Sequence, residues 1–387
     1  MTPAARYAAA IAVLDDVLAG ASAEKCLTTW ARGNRYAGSK DRAAVRDHVF
    51  DVLRRKRSLS VLGGAETGRG LVLGLLRHQG IDPETVFGAG GYGPEALSDA
   101  ELAGGRAPVG SELYDMPAWL WPIWSADLGD GATAAAQALQ DRGPITLRVN
   151  MRRGTRDAAQ AMLAEDGIIC RPSIEVKTAL HVLENERKIQ TSKAYYEGLV
   201  EVQDLASQMA VASLSVAKGA RVLDYCAGGG GKSLALMDMF DCQVCAHDIS
   251  AARMSDIPAR SERAGVVIEV RETADLDHLD PFDVVFVDAP CSGSGTWRRA
   301  PEAKWAITPE KLQSYNRLQG EVLVNAATFA GAGGQLVYAT CSVLSCENRA
   351  IVSAFIAAHP EWRLLSDTQR LPDATGDGFY HCVLQRR

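Results

Sequence analysis

Two cysteines stand where a thiolate can meet a substrate, not where a thiol packs into a core. Cys291, in the stretch DAPCSGSG, follows a proline at the end of an apolar run, and Cys341, in YATCSV, ends the next such run. Both are surrounded by small polar residues at predicted loop mouths. Neither stretch contains the histidine that a papain-like pair requires. Two thiols without a histidine base suit an acceptor that is itself electrophilic, such as carbon 6 of a pyrimidine.

A glycine loop, CAGGGGKS at residues 226–233, predicts a second chemical site. It ends in Lys-Ser like a phosphate-binding loop, but that pattern needs a glycine where Cys226 stands. Glycines let a ligand approach the backbone, and the helix that opens at Lys232 directs its positive end towards that ligand. Asp248, 17 residues beyond Gly231, is suitably placed to accept ribose hydroxyls. The loop therefore indicates a nucleoside site, with an NAD site and a plain strand-to-helix turn as open alternatives.

Alternating strands and helices must position these residues. Five runs read as strands, each followed by a loop and helical sequence: RVLDYC, CQVCAHD, VVIEVRE, FDVVFVDAP and GGQLVYATC. This alternation predicts a parallel sheet with helices on both faces. In such a sheet ligands bind beyond the carboxyl ends of the strands. The side chains that follow the strand ends are Asp224, Asp248, Asp275, Asp288, Cys291 and Cys341.

The rest of the chain predicts two further domains. Residues 1–130 show helical spacing with almost no strand signal, as in RYAAAIAVLDDVLAG. From residue 140 to 205 short strands such as ITLRVNM surround a helical stretch, which predicts a small α+β module. The α/β domain with the Rossmann-like sheet then occupies residues 206–387. We therefore predict an all-helical domain, a small α+β module and an α/β domain, in that order.

Composition limits the class of protein. The chain has 387 residues, of which 47% are hydrophobic and 23% charged, as in soluble globular proteins. No run approaches the ~18 apolar residues of a membrane span, and nine scattered cysteines are typical of reduced thiols, so we expect a cytoplasmic protein. The net charge of −6 argues against a surface that binds nucleic acid everywhere, but it allows basic patches. Two such clusters are LRVNMRRGTR and the Arg298-Arg299 pair.

Four stretches together resemble a known family. VLDYCAGGGGKS, DAPCSGSGTWRRAPEAKW, YATCSVLSCEN and the terminal GDGFY are similar to the motifs of the Sun/RsmB family of S-adenosylmethionine-dependent RNA cytosine-5 methyltransferases. The similarity runs from about residue 145 to the C-terminus and includes LRVN and VQDLASQ. The helical N-terminus resembles the NusB-like RNA-binding domain of the RsmB branch. The resemblance implies a class I methyltransferase fold and small-subunit (16S) ribosomal RNA as substrate, with transfer RNA as the alternative.

The resemblance also implies a role for each matching residue. Cys341 matches the nucleophile, Cys291 the cysteine that assists product release, and Asp288 a carboxylate near the reacting base. The residues implied to contact S-adenosylmethionine are Cys226, Ala227, Gly228, Gly229, Gly230, Gly231, Lys232, Asp248, Arg253, Asp275 and Asp288. The family commonly has Ala-Pro where this chain has Gly228-Gly229. That departure predicts a looser loop and weaker cofactor binding.

The chemistry is consistent with these roles. Carbon 5 of cytosine is a weak nucleophile, but a thiolate added at carbon 6 turns the ring into an enamine that attacks a sulfonium methyl group. This reaction needs no metal. The basic clusters then predict phosphate contacts, made by Arg148, Arg152, Arg298 and Arg299, with Asn150 beside them. We expect a monomer that binds RNA and no membrane.

Three rival functions remain at this point. An NAD-dependent oxidoreductase would need a proton-relay histidine near the strand ends, and His247 is the one candidate there. DNA cytosine-5 methyltransferases attack with the cysteine of the Pro-Cys motif, here Cys291, whereas the presence of Cys341 favours the RNA type. A non-catalytic RNA-binding assembly factor with the same fold would be favoured by loss of Cys341 or Asp288, and both are present.

Overall fold

A ten-residue segment from the second half of the chain folds with the first 142 residues. The computed structural model describes residues 1–387. Its two units are a helical unit, formed by Met1–Arg142 and Trp297–Ala306, and a sheet unit, formed by Gly143–Thr296 and Ile307–Arg387. The sheet unit contains both the predicted α+β module and the predicted α/β domain. None of the helices combines the length and the apolar character that crossing a membrane requires.

The helical unit contains no strand, as predicted. Its helices are α1 (Pro3–Leu18), α2 (Ala23–Gly33), α3 (Ser39–Arg54), α4 (Lys56–Gly63), α5 (Gly68–Gln79), α6 (Asp99–Ala103), α7 (Trp121–Leu128) and α8 (Ala132–Ala138), with a ninth, Pro301–Ala306, from the returning segment. Helices α1, α2, α3 and α5 bury one apolar core that includes Leu14, Val49 and Leu73. The unit thus has a hydrophobic core of its own.

The returning segment is bound to the end of α3. The Lys304 amine donates to the carbonyl of Arg54 at 2.9 Å, and the Trp305 indole N–H donates to the carbonyl of Leu53 at 2.6 Å. The Arg54 guanidinium in turn donates to the carbonyl of Arg298 at 2.8 Å. The last carbonyls of a helix have no partner within the helix, so a cation and an N–H donor there satisfy them. This explains why the segment folds with residues so distant in sequence.

A small antiparallel sheet begins the sheet unit. Its strands are β1 (Ile145–Val149), β2 (Ile169–Pro172), β3 (Ala179–Glu184) and β4 (Val200–Val202), in the order β2-β3-β1-β4. Helices α9 (Arg156–Glu165) and α10 (Lys193–Tyr196) accompany it. Leu147, Val149 and Leu163 are fully buried in its core. This is the α+β module that the sequence predicts at residues 140–205.

The large sheet has seven strands. They are β5 (Arg221–Asp224), β6 (Gln243–His247), β7 (Glu269–Arg271), β8 (Phe282–Asp288), β9 (Ala330–Thr340), β10 (Trp362–Arg370) and β11 (Phe379–Arg386), in the order β10-β11-β9-β8-β5-β6-β7. The five predicted strands, β5 to β9, are parallel, whereas β10 and β11 pair antiparallel at one edge. The predicted α/β fold is confirmed, and the two antiparallel strands extend the sheet beyond the five predicted strands.

Helices cover both faces of the large sheet. They are α11 (Leu205–Ala212), α12 (Gly231–Met239), α13 (Ile257–Ala264), α14 (Thr273–Leu276), α16 (Pro309–Ala327) and α17 (Arg349–Ala358), and α15 is the helix Pro301–Ala306 of the helical unit. Alternate residues of one strand point to opposite cores, so Val222 packs in one core and Leu223 in the other. The strand order reverses between β8 and β5, and the crevice beyond that point is where such sheets bind ligands.

Candidate active site

The two cysteines come together because their strands are neighbours. Asp288, the last residue of β8, lies opposite Ala339 of β9, and the Ala289 N–H continues the pairing by donating to the Ala339 carbonyl at 2.8 Å. The loops that follow therefore begin side by side. Cys291 Sγ and Cys341 Sγ lie 3.4 Å apart with no disulfide between them.

Hydrogen bonds and charge favour a thiolate at Cys341. The hydrogen bond between Cys291 and Cys341 Sγ, together with the Thr296 hydroxyl and the Lys232 charge, lowers the pKa of Cys341, although burial and the Asp288 carboxylate oppose this. The same bond, with burial, raises the pKa of Cys291 well above its usual value. Since the thiolate is the nucleophilic form of cysteine, the pair is polarised towards attack by Cys341.

A buried carboxylate ties the two cysteine loops to each other. Glu347 is fully buried and accepts from the backbone N–H of Ser292 at 2.8 Å, one residue after Cys291. It also accepts from the hydroxyls of Ser292 and Ser342, the latter one residue after Cys341. Gln319 of α16 donates to it at 3.0 Å. These bonds join the Cys291 loop to the Cys341 loop and so help to fix the separation of the two sulfur atoms.

Close backbone packing also explains the terminal GDGFY motif. The N–H of Gly295 donates to the carbonyl of Cys341 at 2.9 Å, and the N–H of Gly378 donates to the carbonyl of Gly295 at 2.9 Å. A Cβ atom at Gly295 would lie 2.3 Å from the Gly378 carbonyl oxygen. Only glycine allows this approach, so the motif supports the Cys291 loop from the far end of the chain.

Lys232 and Asp288 form a salt bridge at the switch point. Lys232 is the second residue of α12, which follows β5, and Asp288 ends the adjacent strand β8, with Nζ and Oδ2 2.5 Å apart. Burial opposes the charge on Lys232, but the Asp288 carboxylate raises the pKa of the amine. The ammonium also lies 5.3 Å from the centre of the Phe379 ring. A cation and a carboxylate are thus held near enough to Cys341 for both charges to act on its thiol.

The glycine loop lies beside Asp248. Gly228 and Gly230 adopt left-handed backbone angles, φ +50° and +76°, which glycine favours. The Gly228 N–H donates to the Asp248 carboxylate at 3.0 Å, and Arg253 forms an ion pair with the same carboxylate at 3.0 Å. A carboxylate beside side-chain-free backbone is the donor set that holds a ribose in dinucleotide sites. Gly228, Asp248 and Arg253 are thus brought together in a set that suits a nucleoside, and the cofactor contacts of residues 226–232 stay a prediction.

Two other carboxylates at strand ends lie apart from this set. Asp224 is fully buried and accepts from the Ser233 hydroxyl at 2.6 Å, and burial raises its pKa to about 6. It anchors the start of α12 and does not line the crevice. Asp275 is exposed in the first turn of α14, where it accepts from the Glu272 N–H at 3.3 Å. Its implied contact with S-adenosylmethionine stays a prediction.

His247, the histidine that an NAD-dependent oxidoreductase would need as a proton relay, has a hydrogen-bond partner on each ring nitrogen. His247 is 2% exposed. Its Nδ1 lies 2.8 Å from the Tyr225 carbonyl, and its Nε2 lies 2.9 Å from the Thr273 hydroxyl. With both ring nitrogens engaged inside the protein, His247 is a structural residue, and the NAD-dependent alternative loses its proton relay.

Three of the five residues predicted to contact RNA are buried in the structure. Arg148 is 2% exposed and pairs with Asp238 of α12 at 2.5 Å, and Asn150 is buried and donates to the carbonyls of Gly198 and Ala264. Arg298 is also 2% exposed, inside the helical unit. Basic residues in a cluster suggested a solvated patch, but their partners are distant in sequence. Arg152 and Arg299 are exposed, and their RNA contacts stay a prediction.

The sequence analysis assigned no role to Thr296, Glu347 or Phe379, although all three lie in motifs that it identified. Thr296 closes the stretch GSGT after Cys291, Glu347 precedes Asn348 after the Cys341 strand, and Phe379 is the aromatic residue of GDGFY. Their positions within these motifs were the available signal. Their contacts depend on residues from other strands, so the sequence alone did not reveal them.

Comparison with known proteins adds two family matches. Residues 211–381 match the model described as 16S rRNA methyltransferase RsmB/F. Residues 116–190 match the model of the ferredoxin-like domain of RsmF/B-like methyltransferases. The ribosomal RNA small subunit methyltransferase B of Vibrio cholerae serotype O1 is 30% identical over 332 residues, which cover 82% of this chain and 73% of that protein.

Solved structures support the fold. A methyltransferase homolog protein from Pyrococcus horikoshii matches with a TM-score of 0.61 at 21% identity, over 72% of this chain and 96% of that one. The structure of NSun6 from Pyrococcus horikoshii with SFG matches with a TM-score of 0.64 at 16% identity, over 71% of this chain and 99% of that one. At these identities the likeness concerns the fold alone.

Proposed function

The chain belongs to the RsmB/F family of 16S rRNA methyltransferases, and on this premise we propose that it methylates carbon 5 of a cytosine in small-subunit ribosomal RNA. The observation that carries the proposal is the contact between Cys291 and Cys341 beside the Lys232–Asp288 salt bridge. A lone thiol at a loop mouth has many uses. Two thiols in contact, one with a lowered pKa, match addition to a pyrimidine followed by elimination.

The residues of the glycine loop would hold S-adenosylmethionine. Asp248 would accept the ribose hydroxyls, with Arg253 at the rim, and the backbone of residues 226–231 would face the ligand. Asp288 and Lys232, paired at 2.5 Å, would lie between the cofactor and the base. When bound, S-adenosylmethionine supplies the electrophilic methyl group that carbon 5 of the activated ring attacks.

Cys341 begins the reaction on the base. Its thiolate forms a bond to carbon 6, the electron pair of the C5–C6 double bond shifts through carbon 4 towards N3, and N3 takes up a proton from Lys232. Asp288 accepts a hydrogen bond from the exocyclic amino group, the donor that cytosine presents to carboxylates. The ring is then an enamine with a nucleophilic carbon 5. The carboxylate orients the base, and the ammonium supplies the proton.

Cys291 completes the reaction. Once Cys341 Sγ is bound to carbon it carries no charge, so the thiolate no longer raises the pKa of Cys291. Cys291 then loses its own proton to solvent and accepts the proton from carbon 5. The C5–C6 double bond forms again, the C6–S bond breaks, Cys341 leaves as the thiolate and the N3 proton returns to Lys232.

The reacting cytosine must be unstacked to reach Cys341, as is usual for sequence-specific RNA enzymes. We assign Arg152, which is exposed, to a phosphate of this RNA, and the exposed Arg299 of the helical unit to another phosphate of the same RNA. The helical unit, which resembles a NusB-like domain in sequence, would bind the same RNA. Relatives with the RsmB/F description support ribosomal RNA as the substrate class over transfer RNA.

Trapping of the covalent intermediate tests the proposal. Cys291→Ala should accumulate a protein–RNA complex that survives denaturant and disappears with RNase, because release is slowed while Cys341 still attacks. Cys341→Ala and the double variant should form no such complex. A complex formed by Cys341→Ala through Cys291 would instead indicate the DNA type of mechanism. A Cys291→Ala protein that forms no complex and stays fully active would refute the division of roles.

A further inference from the structure

The glycine loop lacks the Ala-Pro pair that is common in the family, and residues from outside the loop contact it in the structure. Gly228 and Gly229 stand where the family commonly has Ala-Pro, and four consecutive glycines give the free loop more conformations to lose. Such a loop binds a ligand well only when other contacts restrict it beforehand. Two such contacts come from residues outside the loop, and they reach the carbonyls of Gly229 and Gly231, on either side of Gly230.

The first contact involves Arg260 of α13. Its guanidinium Nη1 donates to the carbonyl oxygen of Gly229. Its Nη2 lies 3.4 Å from the carboxylate of Glu201, a residue of β4 in the small sheet. The two side chains are 22% and 12% exposed, so solvent screens the pair only in part. The ion pair therefore fixes the direction of the guanidinium that holds Gly229.

The second contact lies two residues further along the loop. Gln203, just after β4, donates to the carbonyl of Gly231 at 3.1 Å. The buried Arg148 holds Gln203 in place with a hydrogen bond of 2.8 Å. The end of β4 thus reaches two carbonyls of the glycine loop, one directly and one through Arg260. This gives the small sheet a function beside any contact it makes with RNA.

We propose that Glu201 and Arg260 are positioning residues that hold the glycine loop in its ligand-binding conformation, in place of the Ala-Pro restriction. The identity of the ligand, S-adenosylmethionine, rests on the proposed function. Space at the site agrees, because a Cβ atom at Gly229 would lie 3.0 Å from Arg260 Nη1. A side chain at position 229 and the Arg260 guanidinium therefore compete for the same space.

Calorimetric titration with S-adenosylhomocysteine tests the positioning role. Arg260→Ala should raise Kd about three- to tenfold, the value of one lost hydrogen bond. Arg263→Ala is the matched control, because Arg263 pairs with Glu201 at 2.6 Å and the contact to Gly229 comes from Arg260 instead. Its Kd should stay within about twofold of the wild-type value. Equal Kd values for Arg260→Ala and wild type, or an equal loss in both variants, would overturn the proposal.

A double variant separates positioning from general stability. Gly229→Ala alone should raise Kd, because the methyl group crowds Arg260 Nη1 and weakens its hydrogen bond to the Gly229 carbonyl. In the Arg260→Ala background the same methyl group meets no guanidinium and restricts the loop, so it should recover part of the lost affinity. If Arg260 acted only on global stability, the losses of affinity in the two single variants would add in the double variant. Additive losses would therefore count against the positioning role.

Hydrogen–deuterium exchange of the free protein keeps the test independent of the ligand. Amides of residues 226–232 should exchange faster in Arg260→Ala than in wild type, and at the wild-type rate in Arg263→Ala. Unchanged exchange in Arg260→Ala would overturn the positioning role. If the loop responds as expected but the wild-type protein binds no S-adenosylhomocysteine, the positioning role stands and the proposed cofactor is wrong.

Discussion

Replacing Cys291 with alanine should raise the pKa of Cys341. In the structure the Cys291 thiol is the first of the groups that lower it, through the hydrogen bond across 3.4 Å. Hydrogen bonds to charged groups contribute about 1.5–3 kcal/mol, and a thiol is a weak donor, so we take roughly 1 kcal/mol for this one. One pKa unit corresponds to about 1.36 kcal/mol. The expected upward shift is therefore roughly 0.5–1 pKa unit.

The rate of alkylation by iodoacetamide measures this shift, because the thiolate is the reactive form. The rate at Cys341, located by tandem mass spectrometry of the modified peptide, is followed from pH 6 to pH 10. The midpoint of the profile should move upward in Cys291→Ala. Cys242→Ala is the control, since Cys242 is buried beside α12 and donates weakly to the Leu236 carbonyl.

The sign of the shift decides between the two assignments. If Cys341 were the donor and Cys291 the thiolate, removal of Cys291 would lower the midpoint at Cys341. A lower or unchanged midpoint would therefore refute the polarity on which the proposed mechanism depends. Thr296→Val should move the midpoint in the same upward direction as Cys291→Ala, since Thr296 is also among the groups that lower the pKa of Cys341.

Four further variants test other parts of the account. Cys341→Ala should abolish methyl transfer and leave the Kd for S-adenosylmethionine nearly unchanged in calorimetry, since the thiol acts on the base; loss of binding would argue against the assignment. Asp248→Ala should weaken cofactor binding by about 1–3 kcal/mol, the value of one or two charge-assisted hydrogen bonds, and unchanged affinity would place the ribose elsewhere. Arg148→Met should lower the free energy of unfolding by about 3–5 kcal/mol in urea titrations, because it leaves Asp238, itself 3% exposed, buried and unpaired. Adding Asp238→Leu should restore much of the lost free energy of unfolding. If the losses of the two single variants simply added in the double variant, that result would contradict a buried ion pair between Arg148 and Asp238.

The sequence predicted the parts of the fold that depend on local pattern. Strands β5 to β9 are short apolar runs, and each is followed by the loop that carries a site residue, so their existence and order followed from periodicity. The antiparallel strands β10 and β11 were missed. Strand β10 is largely exposed on both faces and lacks an apolar run, and its pairing with β11 is a long-range property.

The positions of the site residues were predictable only where a motif defines them. Cys291, Cys341 and Asp288 follow strand ends, so adjacency of the strands brings them together. Burial of Arg148 was not predictable, because its partner Asp238 lies 90 residues away on α12. The expected looseness of the glycine loop likewise overlooked Arg260, a residue of another helix that reaches the Gly229 carbonyl.

Analysis of the methylated nucleoside tests the central claim most directly. Purified protein is incubated with small-subunit ribosomal RNA and S-adenosylmethionine that carries a deuterated methyl group, and the digested RNA is examined by mass spectrometry. The account predicts labelled 5-methylcytidine with the wild-type protein and none with Cys341→Ala. Label on another base or another atom of cytosine, or labelled 5-methylcytidine from Cys341→Ala, would contradict it.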